Sequence, residues 1–206
     1  MQIEKYTLGP LQTNAYVLTD DAQQRGIVID PGMHPDMLVK RIEDLEIEAI
    51  VLTHAHFDHI GGVDQIRKLK NCPVYLHANE HEWLSNPDLN GSLMWAELGG
   101  PIQTDLPEHT LAEGMEMQWL GESFRIFHTP GHSPGSVSIL WKEHLFSGDV
   151  LFRTSVGRTD LRDGSSNQLY ASIHEKLFPL PNETIVYPGH GPNTTIGFEK
   201  ENNPFV

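Results

Sequence analysis

Between Asn14 and Gly32 the chain runs through two short apolar stretches, NAYVLTD and GIVIDPG, the second stopped by Asp30-Pro31-Gly32. Short apolar runs closed by turn-forming residues predict strands, and their closeness predicts that the two pair. HPDMLVKRIEDLEI then places Met37, Leu38, Ile42 and Leu45 at helical spacing, which predicts a surface helix facing the core. AIVL predicts a buried strand that ends at Thr53, after which Val63, Ile66 and Leu69 mark another helix. PVYLH reads as a strand and ANEHEWLS as a short helix. Asn86 to Leu106, with its prolines and glycines, predicts a long loop or flap. The second half of the chain alternates in the same way, with MEMQWL and ESFRIFHTPG as strands, SVSILWKEHLFSGD as a hairpin-like pair, SSNQLYASIHEKLF as a helix starting from Ser165 or Ser166, and TIVYPGHG as a last strand. No linker, low-complexity tract or short-period repeat interrupts this order. Two halves with strands followed by helices predict sheets stacked face to face with helices outside.

Size and charge narrow the picture. A chain of 206 residues suits one domain with a substantial core, so residues 1–206 are expected to form a single domain. Its formal net charge of −14 repels phosphate-lined partners and anionic membranes, which argues against both nucleic acid and membrane binding. Cys72, the only cysteine, has no partner for an internal disulfide, and MQIEKYTLGP lacks the basic and apolar regions of a signal peptide. No apolar run approaches the roughly 20 residues that span a bilayer. A soluble cytoplasmic protein is the expectation, with its oligomeric state left open.

The chemistry concentrates in VLTHAHFDHIGG, where His54, His56, Asp58 and His59 follow the AIVL strand. In an extended segment, side chains two apart share a face, so His54 and His56 can point into one pocket and bind one cation. Asp58 and His59 stand where the chain turns toward the next helix and project differently, which suits a second cation nearby. One loop cannot complete two coordination spheres. Other strand ends offer more donors: His132 in HTPGHSPGS, Asp149 in FSGDV and His190 in VYPGHGP.

In that order the motifs resemble the metallo-β-lactamase superfamily and, within it, the type II glyoxalase branch, the hydroxyacylglutathione hydrolases and their short bacterial relatives. The likeness covers nearly the whole chain and rests on Asp30 in VIDPG, THAHFDH, HTPGHSPG, FSGDVLF with VGRTDL after it, and VYPGHGP. It implies an α/β fold, a four-layer αβ/βα sandwich with the site at one edge of its two sheets. It also implies that His54, His56 and His132 bind one metal, that Asp58, His59 and His190 bind the other, and that Asp149 bridges them. Two divalent ions would carry four positive charges against the two negative ones of Asp58 and Asp149, so an anion is wanted. A shared water that loses its proton near neutral pH answers that need as a nucleophile, and one ion can hold the oxyanion formed on attack. Asp58 is therefore expected to act in catalysis as well as in binding, passing a proton toward the leaving group. The expected cofactors are two divalent ions, zinc first, with iron or manganese as alternatives.

Ligand types separate branches of the superfamily. Flavin-partnered diiron relatives have glutamate where this chain has His56, and the zinc β-lactamases lack a bridging carboxylate such as Asp149. Ribonuclease-type relatives need a basic surface, which this chain lacks. A small-molecule acyl-thiol substrate such as S-lactoylglutathione fits best, with a lactonase or a mononuclear iron persulfide dioxygenase, using the equivalents of His54, His132 and Asp149, as alternatives. Arg158 in VGRTDL matches a basic position that contacts the thiol tripeptide in type II glyoxalases, although Asp160 stands where they often have tyrosine and few residues follow His190. Asp30 is expected to hydrogen-bond a ligand histidine or pin the metal loop, and Thr53 to support the same loop. His128 reads as structural or as support for a ligand. His34, His77, His81, His109, His144 and His174 read as surface or packing residues. Trp83, Trp95, Trp119 and Trp141 read as core or flap aromatics, with Trp95, in the long loop, also able to border the pocket, and Cys72 reads as a small buried residue.

Overall fold

A computed structural model describes residues 1–206. The first half of the chain builds one sheet from β1 (Gln2–Leu8), β2 (Thr13–Thr19), β3 (Arg25–Ile29), β4 (Glu46–Val51), β5 (Val74–His77) and β6 (His109–Leu111), paired in chain order. β1 to β3 form an antiparallel meander, while β3 to β6 run parallel. Parallel neighbours need crossovers. Those crossovers carry α1 (Asp36–Arg41), α2 (Phe57–Ile60) and α3 (Val63–Lys70).

The second half builds the other sheet. Along the chain come β7 (Glu116–Trp119), β8 (Glu122–His128), β9 (Val137–Trp141), β10 (His144–Gly148), a separate ribbon of β11 (Leu151–Phe152) and β12 (Ser155–Val156), then β13 (Ile185–Pro188) and β14 (Thr194–Thr195). The sheet order is β14-β13-β10-β9-β8-β7. Its outer face carries α4 (Ser166–Ser172), whose first turn is capped by Ser165, and α5 (Ile196–Asn202), capped by Thr195.

Alternation along the strands assigns the layers. On β2, Tyr16 and Leu18 face the second sheet and pack with Phe124, Ile139 and Phe146, while Ala15 and Val17 face the helices and pack with Leu38, Val63 and Ile66. On the far side, Leu145 and Val186 pack against Leu169 and Ile173. The result is the expected sandwich of helices, sheet, sheet and helices. No helix is long and apolar enough to cross a membrane.

Three expectations about elements are corrected. The helix predicted over HPDMLVKRIEDLEI stops at Arg41, because Glu46 already pairs with β3 and takes the end of the pattern into β4. Met37 and Leu69 are exposed, although Leu38, Ile42 and Leu45 are buried as their spacing predicts. Gln2–Leu8, with no strand assigned from its pattern, forms an edge strand whose residues are mostly exposed or half-buried, so apolar patterning had little to report.

Candidate metal centre

The site gathers at the C-terminal ends of β4, β8, β10 and β13. β3 ends at Asp30, which adopts a left-handed backbone (φ 49°) and turns its carboxylate onto the neighbouring strand end. There Asp30 accepts hydrogen bonds from the Thr53 amide at 2.8 Å and the Thr53 hydroxyl at 2.5 Å. The end of β4, and with it the loop that follows, is pinned.

Four of the five histidines in the site are each oriented by one ring nitrogen and present the other. Thr53 Oγ1 lies 3.1 Å from His54 Nδ1, and Asp30 Oδ2 lies 2.9 Å from His59 Nδ1. His132 Nδ1 donates to the Arg158 carbonyl at 2.8 Å, and His190 Nδ1 donates to the Leu11 carbonyl at 3.1 Å. Nε2 of all four is thereby left to face inward. His56 instead presents Nδ1, 2.9 Å from His132 Nε2. Because His132 Nδ1 donates to Arg158, its Nε2 is a lone pair, so either His56 Nδ1 carries a proton toward it or a cation lies between two lone pairs.

Two triads result. The donor atoms of His54, His56 and His132 lie within 4.8 Å of one another, as do those of Asp58, His59 and His190. Asp149 stands between the sets: Oδ1 is 3.4 Å from His59 Nε2, and Oδ2 is 3.5 Å from both His132 Nε2 and His190 Nε2. Asp30, His54 and His59 are also close together, but Asp30 is committed to Thr53 and to His59 Nδ1. Gly189 makes the convergence possible, since a Cβ there would collide with Asp149 Oδ1.

Metal ions fit this donor set. His54 Nε2, His59 Nε2 and Asp149 Oδ1 are buried with no hydrogen-bond partner, a costly arrangement unless a cation satisfies them. Electrostatics divide the triads. Burial drives His54 well below the usual histidine range, lowers His56 to about 3 and lowers His132. Burial also opposes charge on His59 and His190, but Asp58 and Asp149 outweigh it and raise both, His59 well above its ordinary value. Asp58, pushed up by burial, is pulled down to about 2 by His59 and His190. Without ions, the carboxylates of the second triad favour protons where ions would put positive charge.

The structure adds residues that sequence reading missed. Glu80 is fully buried; Oε2 accepts the Ala55 amide at 2.5 Å, and Oε1 accepts the Ser133 hydroxyl at 2.5 Å and the Gly135 amide at 2.6 Å. Ala55 separates His54 from His56, and Ser133 follows His132, so one carboxylate clamps both loops of the first triad. Burial raises Glu80 to about 7 against the pull of those donors. Thr13 donates to Asp58 Oδ2 at 2.6 Å and holds the second triad's carboxylate in place. Neither residue carries a local signal, since each acts on a loop far away in the chain.

The remaining histidines divide by environment. His128 stacks on His77 with centroids 4.0 Å apart and donates to the Pro134 carbonyl at 2.9 Å, bracing the His132 loop. His144 stacks on Trp141 and His174 lies against Tyr170. Trp83, Trp119 and Trp141 are buried, and so is Cys72, whose thiol burial pushes up to about 11.

A cavity of about 500 Å³ opens over the donors. The 86–106 loop supplies one wall with Leu89, Met94 and Trp95, and the segment from β11 onward supplies Phe152, Arg158 and Arg162. Arg158 thus lies at the pocket, paired with Asp160.

Comparison with known proteins agrees with this geometry. The model of the metallo-β-lactamase superfamily matches residues 8–190. YqgX of Bacillus subtilis (strain 168), described as a probable metallo-hydrolase, is 44% identical over 100% of this chain and 98% of its own length. GloC of Haemophilus influenzae, described as a hydroxyacylglutathione hydrolase, is 36% identical over 100% of this chain and 98% of its own. Among solved structures, one described as BLEG-1 B3 metallo-β-lactamase superposes with a TM-score of 0.93 at 50% identity, covering 99% of both chains. TTHA1623, described in a di-iron-bound form, superposes at 0.86 with 42% identity, covering 98% of this chain and 100% of the other. Fold, donor set and relatives agree: the chain belongs to the metallo-β-lactamase superfamily, as a metal-dependent hydrolase.

Proposed function

We propose that the protein hydrolyses short 2-hydroxyacyl thioesters, S-lactoylglutathione or a related acyl-thiol, using two divalent ions, zinc first. The observation that carries this reading is Asp149, set between two donor triads so that Oδ2 reaches His132 of one and His190 of the other while Oδ1 reaches His59. A carboxylate placed there suits a pair of ions, and His54, His56 and His132 would hold one while Asp58, His59 and His190 would hold the other. The description of the Haemophilus relative supports the substrate class.

Two ions bound there supply an acidified water and a pull on the acyl carbonyl. Asp58 is buried at the cavity floor, held by Thr13, and is placed to accept a proton from the attacking water. A thiolate leaves without needing a strong acid beside it, and the site offers none. Phe57 and Trp95 border the cavity and limit water at the reacting carbonyl. Arg158 borders the cavity where a carrier would lie, with its guanidinium held by Asp160.

The test is elemental analysis of the purified protein together with turnover of a thioester, a lactone, a persulfide and a β-lactam. The expected result is two ions per chain and fastest turnover of the thioester. One iron per chain with persulfide oxidation, or a β-lactam hydrolysed faster than any thioester, would replace the reading.

A further inference from the structure

The cavity wall carries two guanidinium groups, and each is already held by a carboxylate of this chain. Arg158 meets Asp160 with Nε 2.7 Å from Oδ1 and Nη2 2.8 Å from Oδ2. That Nε/Nη2 edge is one of the two through which a guanidinium grips a carboxylate by two bonds. Arg162 Nη2 lies 2.6 Å from Asp88 Oδ2, which joins the loop after β12 to the 86–106 loop across the cavity mouth. Much of the rest of the wall is apolar, with Leu89, Met94, Trp95, Phe152, Val156 and Leu161. A carboxylate on an incoming carrier thus meets an Arg158 whose side-on edge is taken and an Arg162 already held through Nη2, and the chain's −14 charge repels it at a distance.

We propose that Asp160 is a specificity residue: by occupying the Arg158 guanidinium it sets the cavity for acyl-thiols whose carrier is uncharged and apolar, against carriers that bear carboxylates. The proposal rests on the acyl-thiol reading above and narrows it, placing acyl-thiols with uncharged carriers ahead of S-lactoylglutathione, whose carrier bears carboxylates. The Arg158 and Asp160 side chains are 54% and 68% exposed, so their pair adds little to folding and can be removed without disturbing the donors below. The Arg158 carbonyl, which accepts from His132 Nδ1, belongs to the backbone and survives substitution of the side chain.

The experiment measures binding, by calorimetry, of S-hexyl-N-acetylcysteine and its primary amide, probes that differ by one carboxylate, to the zinc-loaded protein. Asp160→Asn is expected to tighten the acid about threefold to tenfold, as loss of a competing surface carboxylate allows, and to leave the amide within about twofold. Adding Arg158→Ala should abolish the gain, because the acid then has no freed guanidinium to meet. An Asp160→Asn variant that shifts acid and amide alike, or neither, overturns the proposal. So does a gain that persists without Arg158. Absence of thioester turnover, with the selective gain intact, would count against the acyl-thiol reading and leave Asp160 as a guard against anions.

Discussion

The two donor triads lie side by side and solve opposite problems. His54, His56 and His132 are neutral side chains that burial keeps deprotonated, so they wait as lone pairs with no charge to displace. Asp58, His59 and His190 form a set in which Asp58 and Asp149 favour protons on the histidines. Their supports differ as well. The first triad is clamped across two loops by one buried carboxylate, Glu80, whereas the second is held piecewise by Thr13, Asp30 and the Leu11 carbonyl. The difference predicts that an ion would enter the first triad on ready lone pairs and the second by displacing protons.

The comparison breaks most completely at Asp58. Asp58→Asn keeps the side chain's size but removes the charge that balances the second triad and the group that takes a proton. At matched metal content, turnover should fall by at least about 100-fold, with a far smaller change in the thermal midpoint. Activity within a few-fold of the parent would show that the second triad's charge plays no part in the reaction.

Glu80→Gln probes the other side. Three donors converge on the Glu80 carboxylate, and an amide offers them only one oxygen, so one buried N–H or O–H must face the NH2 group. The expected cost is about 1–3 kcal/mol of stability. Affinity of the first triad's ion should fall by about tenfold to a hundredfold, as for other residues that orient ligands. Competition with a chelator should therefore strip one ion well before the second. Equal loss of both ions would mean that Glu80 supports the whole edge of the sandwich and not the first triad in particular.

A smaller effect sharpens the comparison further. Zinc titration of metal-free protein at pH 7, repeated in buffers of different ionisation enthalpy, should show about one or two protons released as the second triad fills and none as the first fills. The raised values of His59 and His190 set the direction: as pH falls, those nitrogens hold their protons and the second ion weakens first. The first ion should hold to lower pH, because His56 protonates only near about 3. Proton release shared equally between the two ions would remove the distinction.

Much of this was legible before the fold. Val51 to Gly62 spells four donors in one loop because they are displayed by one strand end, and tight turns around His132, Asp149 and His190 need glycine and proline that the sequence displays locally. Unbroken apolar runs in β2, β3 and β4 mark a sheet buried on both faces. The edge strand β1 and the true end of α1 were not legible. An edge has little burial to pattern it, and the end of a helix depends on where the next strand begins to pair.

The sequence by itself therefore determined which residue types could serve a metal centre and which strand ends carry them, because those facts follow from local spacing, turn chemistry and burial. Tertiary structure alone decided which nitrogen of each histidine faces inward, and which distant groups hold the donors there. Thr13 reaches Asp58 across 45 positions, Glu80 reaches Ser133 across 53, and Arg162 reaches Asp88 across 74. Periodicity reports on a residue's own environment, whereas a hydrogen bond between distant segments exists only once the sheets have packed and brought both ends to one edge.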